Sequence, residues 1–452
     1  MHELLIMGPA AWKSSLDRFA RYKCDTAMPA SVLTIEDAQS QSSGGDPPAR
    51  IKRCIEREHR LRGTKYVMLV GDANVFPVRY VRAINTEWGT IFYPSDLYYA
   101  DLYDASGAFD DWDADDDGIY AEMDFKETSS GAKFNIDKIN LMPDVVVGRV
   151  PASTQAEADT YLRKVMEYEF AARESLAFGY PSRWFQNALI VGGYDGFGNK
   201  AISNQHAAPL GATGFTLIRR FRDDPPWSGT KPEDNARRSA ELGRLLDSGA
   251  GFLHFYAHGN TNSFAGWFSA SDVAGLANEG HLPVVVAISC LTAKFAIDKN
   301  AYLTAMGTSW TGTSEVDVSR PSPAPVQPAN HDQDAMAEEF LVKHEAGAVA
   351  YIGAAHKFEH GGKPLGAYFF EAYRDLPKPP SLGEMWGSAL KRFIANELGG
   401  GTIGMGSYYA FIHAHKVMLF GDPSLRVGGL QPRWSQHAGH LDIELINEAV
   451  GA

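Results

Sequence analysis

Cysteine is scarce in this 452-residue chain, and long apolar runs and clusters of basic residues are missing. Only Cys24, Cys54 and Cys290 occur, and an odd, sparse count excludes a disulfide framework and favours a reducing compartment. No run of about 18 apolar residues is present, so we expect no transmembrane helix. The formal net charge is −13 and no basic run occurs, which argues against a nucleic-acid partner.

The N-terminus lacks the features of a signal peptide. Its short apolar stretch follows Glu3, and it has neither a basic start nor a cleavage site of small residues. We therefore expect a cytoplasmic protein that does not contact a membrane. Secretion, with the signal peptide removed from the sequence, is the alternative.

The composition is that of an ordinary folded enzyme. Hydrophobic residues make up 44% of the chain and charged residues 21%, which excludes a largely disordered protein. Because 452 residues exceed the size at which one hydrophobic core stops growing, we expect two packed units.

Near-continuous apolar runs alternate with helical patterns along the chain. Such runs are typical of parallel strands that are covered on both faces. The runs are Tyr66–Gly71, Asp144–Gly148, Ala188–Gly192, Gly251–Ala257, Pro283–Ser289 and Ala348–Gly353. Helices between them have recognisable starts, including a capping box at Thr154 and Glu157 and a first-turn proline at Pro232. The alternation predicts a doubly wound α/β fold with mostly parallel sheets.

Turn residues at 179–181 indicate a boundary near residue 178. We therefore predict two side-by-side α/β subdomains, an N-terminal one over 1–178 and a second over 179–430, followed by a C-terminal tail over 431–452. Two segments interrupt the pattern and should be loops. One is the acidic stretch 110–124, and the other is the stretch 308–331, which is rich in Pro, Ser and Thr.

Two reactive side chains follow neighbouring strands of the predicted sheet. His258 and Gly259 come after the run Gly251–Ala257, and Cys290 comes after Pro283–Ser289. The carboxyl ends of parallel strands meet at one edge, so both side chains could face one pocket. An imidazole can take the thiol proton and return it to a leaving amine. The N–H groups of Gly259 and Cys290 could form an oxyanion hole. Taken singly, a core cysteine and a structural histidine are the alternative interpretations.

Several phrases between about residues 4 and 427 resemble the gingipain family, in the caspase-like clan of cysteine peptidases. Besides the His258-Gly259 and Cys290 patterns, they are Val67–Asp72 with Phe76-Pro77, Ser95–Leu102, Pro143–Ser153, Ala337–Leu341 with Gly347–Gly353, and Phe420–Leu425. The resemblance implies a caspase-like fold and hydrolysis of peptide bonds through a thioester acyl-enzyme. It implies Cys290 as nucleophile and His258 as general acid/base.

The resemblance also bears on the residue that orients the histidine and on specificity. The family can use an acid in the loop after an earlier strand, which nominates Asp195; a turn residue is the alternative. Arg-cleaving members have an acid at the floor of the specificity pocket, where this chain has Asn199 or its neighbours, so a preference for basic residues does not carry over. Four acids could substitute, namely Asp223, Asp224, Glu315 and Asp317.

The acidic stretch has the pattern of a calcium loop. Asp113, Asp115 and Asp117 alternate before Gly118, with Glu122 beyond, and a hard cation takes several oxygen ligands. Related peptidases often bind calcium. We expect a structural Ca²⁺ ion and no organic cofactor, and a solvated acidic loop is the alternative.

The Pro-rich stretch falls where the match to the family needs an insertion. It is either a disordered decoration or, near the active site, a gate or a loop that the enzyme itself cuts, with Arg320 as the candidate cut site. The expected partners are a protein or peptide substrate and a regulatory protein. A catalytically silent, calcium-stabilised scaffold or binding module and a transpeptidase are the alternative functions.

Overall fold

The computed structural model describes residues 2–85, 89–116, 118–121, 137–177, 183–193, 199–296, 334–398 and 405–430. The strands are β1 (Leu4–Gly8), β2 (Ala30–Thr34), β3 (Tyr66–Val70), β4 (Tyr80–Asn85), β5 (Gly89–Pro94), β6 (Val146–Val150), β7 (Asn187–Gly192), β8 (Thr216–Phe221), β9 (Phe252–Tyr256), β10 (Gly259–Asn260), β11 (Ser263–Phe264), β12 (Phe268–Ser269), β13 (Val284–Ile288), β14 (Ala350–Ala354) and β15 (Val417–Phe420).

Helices lie between most of the strands. The α-helices are α1 (Lys13–Asp25), α2 (Ile35–Gln41), α3 (Pro47–Arg62), α4 (Leu97–Ala100), α5 (Gln155–Ala177), α6 (Asn199–Ala212), α7 (Pro232–Asp247), α8 (Ala270–Val273), α9 (Met336–Glu338), α10 (Pro364–Asp375), α11 (Leu382–Glu397) and α12 (Met405–Lys416). Short 3₁₀ helices span Ala10–Trp12, Trp184–Gln186 and His360–Gly362, and a π-helical turn spans Glu339–Lys343. Among the described residues, no helix has both the length and the apolar composition needed to cross a bilayer.

Ten strands form one sheet in the order β2-β1-β3-β6-β15-β14-β13-β9-β7-β8. Every residue of β1, β3, β9, β13 and β14 is buried, so both faces of the sheet are covered. The core therefore lies on both sides of the central strands. Smaller pairings join β4 to β5 and link β10, β11 and β12.

The two halves of the sheet run in opposite directions. Among the described strands, β14 and β15 make the one antiparallel pair of this sheet, and all its other neighbours are parallel. The carboxyl ends of β7, β9, β13 and β14 therefore share an edge with the amino ends of β6 and β15. We call this edge of the sheet the upper edge, and the opposite one the lower edge.

The α/β fold expected from the sequence is confirmed, and each of the six apolar runs overlaps a strand of this sheet. The capping box forms as predicted, since the Glu157 N–H donates to Thr154 Oγ1 at 3.3 Å and Glu157 Oε2 accepts from the Thr154 N–H at 3.2 Å. Helix α7 begins at Pro232. The division near residue 178 stays a prediction, and the tail over 431–452 lies outside the described residues.

A buried charge cluster joins the first helix to the end of β15 at the lower edge. Lys23 Nζ lies 3.0 Å from Glu169 Oε1 and 2.7 Å from Asp422 Oδ2, and the three side chains are at most 1% exposed. Removing such charges from water costs several kcal/mol per ion, so they are stable there only together. This arrangement gives Asp422, in the phrase Phe420–Leu425, a structural role.

Candidate active site

The register between β9 and β13 brings His258 and Cys290 together. Phe252 pairs with Val284, and the same offset continues to Tyr256 and Ile288. One residue beyond the strands, the Ser289 hydroxyl donates to the carbonyl of Ala257 at 2.8 Å, which extends the register. The next pair at this offset is His258 and Cys290. Both residues therefore lie at the upper edge, at the carboxyl ends of adjacent parallel strands.

The backbone around His258 is held by the small sheet that follows it. The His258 carbonyl accepts from the Ala265 N–H at 3.0 Å, and the imidazole is exposed at the surface. Trp267, which lies between β11 and β12 of this small sheet, donates its indole N–H to the carbonyl of Gly192 at 3.0 Å. The end of β7 and the small sheet after β9 are thus joined.

Gly259 lies directly against the backbone of Cys290. A Cβ atom at position 259 would lie 2.3 Å from Ser289 Oγ and 2.7 Å from the Cys290 carbonyl oxygen. Contacts this short are not tolerated, and the carbonyl oxygen belongs to the backbone and cannot swing away. The glycine after the histidine is therefore required for close approach of the two loops. The oxyanion hole at Gly259 and Cys290 stays a prediction.

The Cys290 thiol is partly buried and contacts the backbone of Phe358. The Phe358 N–H donates to Sγ at 3.3 Å, and the thiol can donate to the Phe358 carbonyl at 3.5 Å. Burial raises the pKa of the Cys290 thiol, while the Phe358 N–H and the Lys416 ammonium oppose that rise. Sequence patterns gave no indication of either opposing group.

The residue after Cys290 has an unusual backbone conformation. Leu291 has φ = 60°, a left-handed conformation that costs about 1 kcal/mol or more for a branched side chain. Its N–H donates to the His356 carbonyl at 3.2 Å. The chain therefore turns sharply behind Cys290 and leaves the thiol at the tip of the turn.

Residues 355–362, which we call the thiol loop, follow β14 and pass beside Cys290. Glu359 of this loop makes an ion pair with Lys416, whose side chain is fully buried. The Glu359 N–H donates to His413 Nε2 at 3.0 Å, and His413 Nδ1 is hydrogen-bonded to the Tyr409 carbonyl. Burial and the nearby Lys416 hold the pKa of His413 well below its usual value. His413 is therefore a neutral acceptor and forms no ion pair with Glu359.

Comparison with known proteins identifies the family. The family model of peptidase family C25 matches residues 2–428. The chain belongs to peptidase family C25. This C25 peptidase is a cysteine peptidase of the gingipain family, as the sequence phrases implied.

Solved structures agree with this C25 fold. The crystal structure of the Arg-specific cysteine proteinase gingipain R (RgpB) has a TM-score of 0.60 and 15% identity, over 94% of this chain and 78% of that one. The complex of the pro- and mature domains of RgpB from Porphyromonas gingivalis gives 0.60 and 16%, over 94% and 79%. A search of curated protein sequences finds no significant match.

The acidic loop of the C25 peptidase also lies near the upper edge, because the Asp110 N–H donates to the Leu102 carbonyl at 3.0 Å. The Leu102 N–H in turn donates to Oδ2 of Asp144, just before β6, at 2.7 Å. Carboxylate oxygens of Asp113, Asp115 and Asp137 lie within 4.8 Å of one another. Asp137 was not identified from the sequence, because it lies far along the chain from the alternating aspartates. Its Oδ1 accepts from the Ala114 N–H at 2.8 Å, which draws it to the loop.

Trp112 anchors this loop in the core of the C25 peptidase. Its side chain is fully buried, its indole N–H donates to Asp101 Oδ2 at 3.1 Å, and its ring lies 6.5 Å from that of His415. The described residues of the stretch predicted to be too acidic for the core, 110–116 and 118–121, form a loop, but part of it is buried. Asp117 and Glu122 lie outside the described residues.

Asp195, Glu315, Asp317 and Arg320 also lie outside the described residues. Gly193, the last described residue before Asp195, donates its N–H to the Tyr256 carbonyl at the end of β9 at 3.2 Å. Asn199, at the start of α6, is buried next to this point.

Proposed function

We propose that this C25 peptidase is an endopeptidase that hydrolyses peptide bonds through a thioester on Cys290, with His258 as general acid/base. The observation that carries the proposal is the register of β9 and β13, which continues through the Ser289 to Ala257 hydrogen bond to the next pair, His258 and Cys290. Family membership supports the reaction class.

The reaction runs in two halves around one sulfur atom. His258 takes the proton of Cys290 Sγ, the thiolate attacks the scissile carbonyl carbon, and the N–H groups of Gly259 and Cys290 stabilise the oxyanion. When the tetrahedral intermediate collapses, the C–N bond breaks and His258 gives its proton to the leaving amine. His258 then deprotonates a water molecule that attacks the thioester, and Cys290 is released.

A panel of irreversible peptidyl electrophiles tests this function, with Arg, Lys, Asp or an apolar residue before the reactive group. We expect labelling of wild type at Cys290, none of Cys290→Ala, and unchanged labelling of Cys24→Ala, which removes an exposed thiol. Failure of every probe, with and without calcium, would favour a silent scaffold. Transfer of the acyl group to an added amine in preference to water would favour a transpeptidase.

We propose that Asp195 orients the His258 imidazole. The support is Gly193, two residues before Asp195, whose N–H donates to the carbonyl of Tyr256, the last residue of β9. An acid there would fix the ring and stabilise the imidazolium. In an Asp195→Asn variant, kcat should fall while electrophile labelling of Cys290 persists at high pH.

We do not carry the arginine preference of gingipain R over to this chain. By the resemblance, Asn199 or one of its neighbours stands where the Arg-cleaving members have the pocket acid, and Asp224 is already paired with Lys200 at 2.6 Å. An uncharged amide and a neutralised carboxylate give a basic side chain little to bind. The electrophile panel measures the preference directly.

We propose that the acidic loop holds one structural calcium ion. Asp113, Asp115 and Asp137 would be ligands, and Asp117 and Glu122 would add oxygens from the sequence pattern. The support is the convergence of three carboxylates within 4.8 Å, since such groups repel one another and calcium prefers six to eight oxygens. The ion would order the loop beside the upper edge.

We propose that activity is restrained by a partner or by the Pro-rich segment, in a cytoplasmic protein whose three cysteines stay free. The support is two backbone hydrogen bonds made by residues that follow this segment in the sequence. The Met336 N–H donates to the Thr261 carbonyl at 2.8 Å, and the Ala337 N–H donates to the Thr292 carbonyl at 3.0 Å. These carbonyls belong to the loops after His258 and Cys290. Cleavage at Arg320 in wild type, and not in Cys290→Ala, would support self-processing; intact chains in both would contradict it.

A further inference from the structure

Lys416 is a fully buried lysine at the upper edge, and its ammonium group reaches the thiol loop. It ends α12, directly before β15, and its side chain pairs with Glu359. Its own carbonyl accepts from the Ala355 N–H at 3.1 Å. Both its backbone and its side chain therefore hold the thiol loop. No part of the proposed hydrolysis uses this residue.

The thiol loop contacts the nucleophile turn on its other side. The Phe358 N–H donates to Cys290 Sγ at 3.3 Å, and the His356 carbonyl accepts from the Leu291 N–H at 3.2 Å. Phe358 is the neighbour of Glu359 in the chain. A movement of Glu359 would therefore move the backbone donor of Phe358 that faces the sulfur.

Glu359 depends on Lys416 for its position. Its carboxylate is only 14% exposed, and a partly buried carboxylate without its cation is pulled towards solvent. Its N–H also donates to His413 Nε2 at 3.0 Å. Loss of the ion pair would leave Glu359 less firmly held, because a charge-assisted contact is stronger than a neutral hydrogen bond.

We infer that Lys416 is a positioning residue for the nucleophile: through its ion pair with Glu359 it holds the Phe358 N–H against Cys290 Sγ. The inference rests on Cys290 being the nucleophile of the proposed function. A donor aimed at sulfur stabilises the thiolate more than the thiol. Lys416 thereby sets how much reactive thiolate exists near neutral pH.

The titratable and charged groups that face the thiol come from several elements. They are His258 after β9, His356, Lys357 and Glu359 of the thiol loop, and Lys416 at the end of α12. The experiment therefore changes Lys416 and leaves the others in place.

The test measures the rate of iodoacetamide alkylation of each cysteine against pH, on the full-length chain, by peptide mass spectrometry. In Lys416→Met we expect the midpoint for Cys290 to rise by about one pH unit, so that alkylation at pH 7 falls about tenfold, while the high-pH plateau is kept. Cys24 in the same chain is the internal reference. Lys416→Arg, which retains the ion pair, should restore the wild-type midpoint.

Lys23→Met is the matched control, because Lys23 is another buried lysine paired with carboxylates, those of Glu169 and Asp422. It should lower stability and leave the Cys290 midpoint unchanged. A midpoint in Lys416→Met equal to that of wild type, or an equal shift in Lys23→Met, would overturn the inference. If Lys416→Met does not fold, Lys416→Gln replaces it with the same expected direction, since its shorter amide reaches Glu359 less well.

Alkylation needs neither a substrate nor hydrolysis, so the two claims fail separately. A shifted midpoint in a protein whose hydrolysis survives Cys290→Ala would refute the proposed function and keep the role of Lys416 in thiol reactivity. Hydrolysis lost in Cys290→Ala, with an unshifted midpoint in Lys416→Met, would refute the inference alone.

Discussion

The backbone N–H of Phe358 points at the sulfur of Cys290 from 3.3 Å away. The two residues are 68 positions apart and meet because β14 lies beside β13 in the sheet. The thiol therefore has a donor on the side opposite the strand that leads to His258. A partly buried cysteine becomes a usable nucleophile only when such groups offset the cost of burying its charge.

Gly259→Ala should reduce peptide hydrolysis by about a hundredfold, the usual cost of displacing a reacting group by about 1 Å. The added Cβ would lie 2.7 Å from the Cys290 carbonyl oxygen, so one of the two loops must shift. Steady-state kinetics and a melting curve measure the effect. Gly45→Ala is the control, because a Cβ there meets nothing within 4 Å. Full activity in Gly259→Ala would refute the close approach of the loops.

Asp422→Asn should lower the free energy of unfolding by about 3 kcal/mol or more. The change leaves Lys23, in a fully buried position, with one carboxylate partner instead of two. Urea denaturation monitored by tryptophan fluorescence measures it. Asp375→Asn removes an exposed ion pair with Arg392 and should cost less than about 1 kcal/mol. Equal losses in both variants would contradict a structural role for the buried charge cluster of Lys23, Glu169 and Asp422.

Lys164 should make stability rise between pH 7 and pH 9. Burial lowers its pKa to about 7 in the folded protein, and the neutral amine can still donate to the carbonyls of Phe340 and Leu341. The unfolded chain then holds a proton that the folded protein lacks, between about pH 7 and 10, so stability increases with pH across that window.

The measurement compares the free energy of unfolding of wild type and Lys164→Met at pH 7 and pH 9. Wild type should gain about 1 to 2 kcal/mol relative to the variant over this interval. A constant difference between the two proteins would mean that Lys164 stays charged.

Calcium should raise the melting temperature of the wild-type protein, and Asp137→Asn should weaken this effect. The change removes one carboxylate of the cluster within 4.8 Å, and ligand charge sets calcium affinity. Thermal shift is measured against calcium concentration after chelation, with magnesium as comparison. Asp111→Asn, an exposed loop acid outside the cluster, should respond like wild type. Identical responses in wild type and Asp137→Asn would remove Asp137 from the ligand set.

Much of the site at the upper edge could be predicted, because it depends on residues that are close together in the sequence. The runs before His258 and Cys290 have strand composition, and the strands β9 and β13 are parallel neighbours, so their ends meet. The capping box at Thr154 and the start of α7 at Pro232 likewise depend on adjacent residues. The need for a residue without a Cβ atom at position 259 could be expected from its position after the histidine.

The rest of the site depends on contacts between distant segments. Lys416 and Glu359 are 57 positions apart, and no spacing rule pairs them. Asp137 and Asp113 lie close together, although nothing in their spacing along the chain indicates a contact. The antiparallel orientation of β15 relative to β14 was also unpredictable, because the apolar pattern of a four-residue strand does not indicate its direction in the sheet.

Direct detection of the acyl-enzyme tests the central claim. The protein is mixed with a cleavable peptide, quenched in acid within milliseconds to seconds, and digested for mass spectrometry. We predict an acyl adduct on the peptide that contains Cys290, absent from Cys290→Ala, and accumulating more slowly in His258→Ala. Hydrolysis that persists in Cys290→Ala, without any adduct on the wild-type protein, would contradict the account.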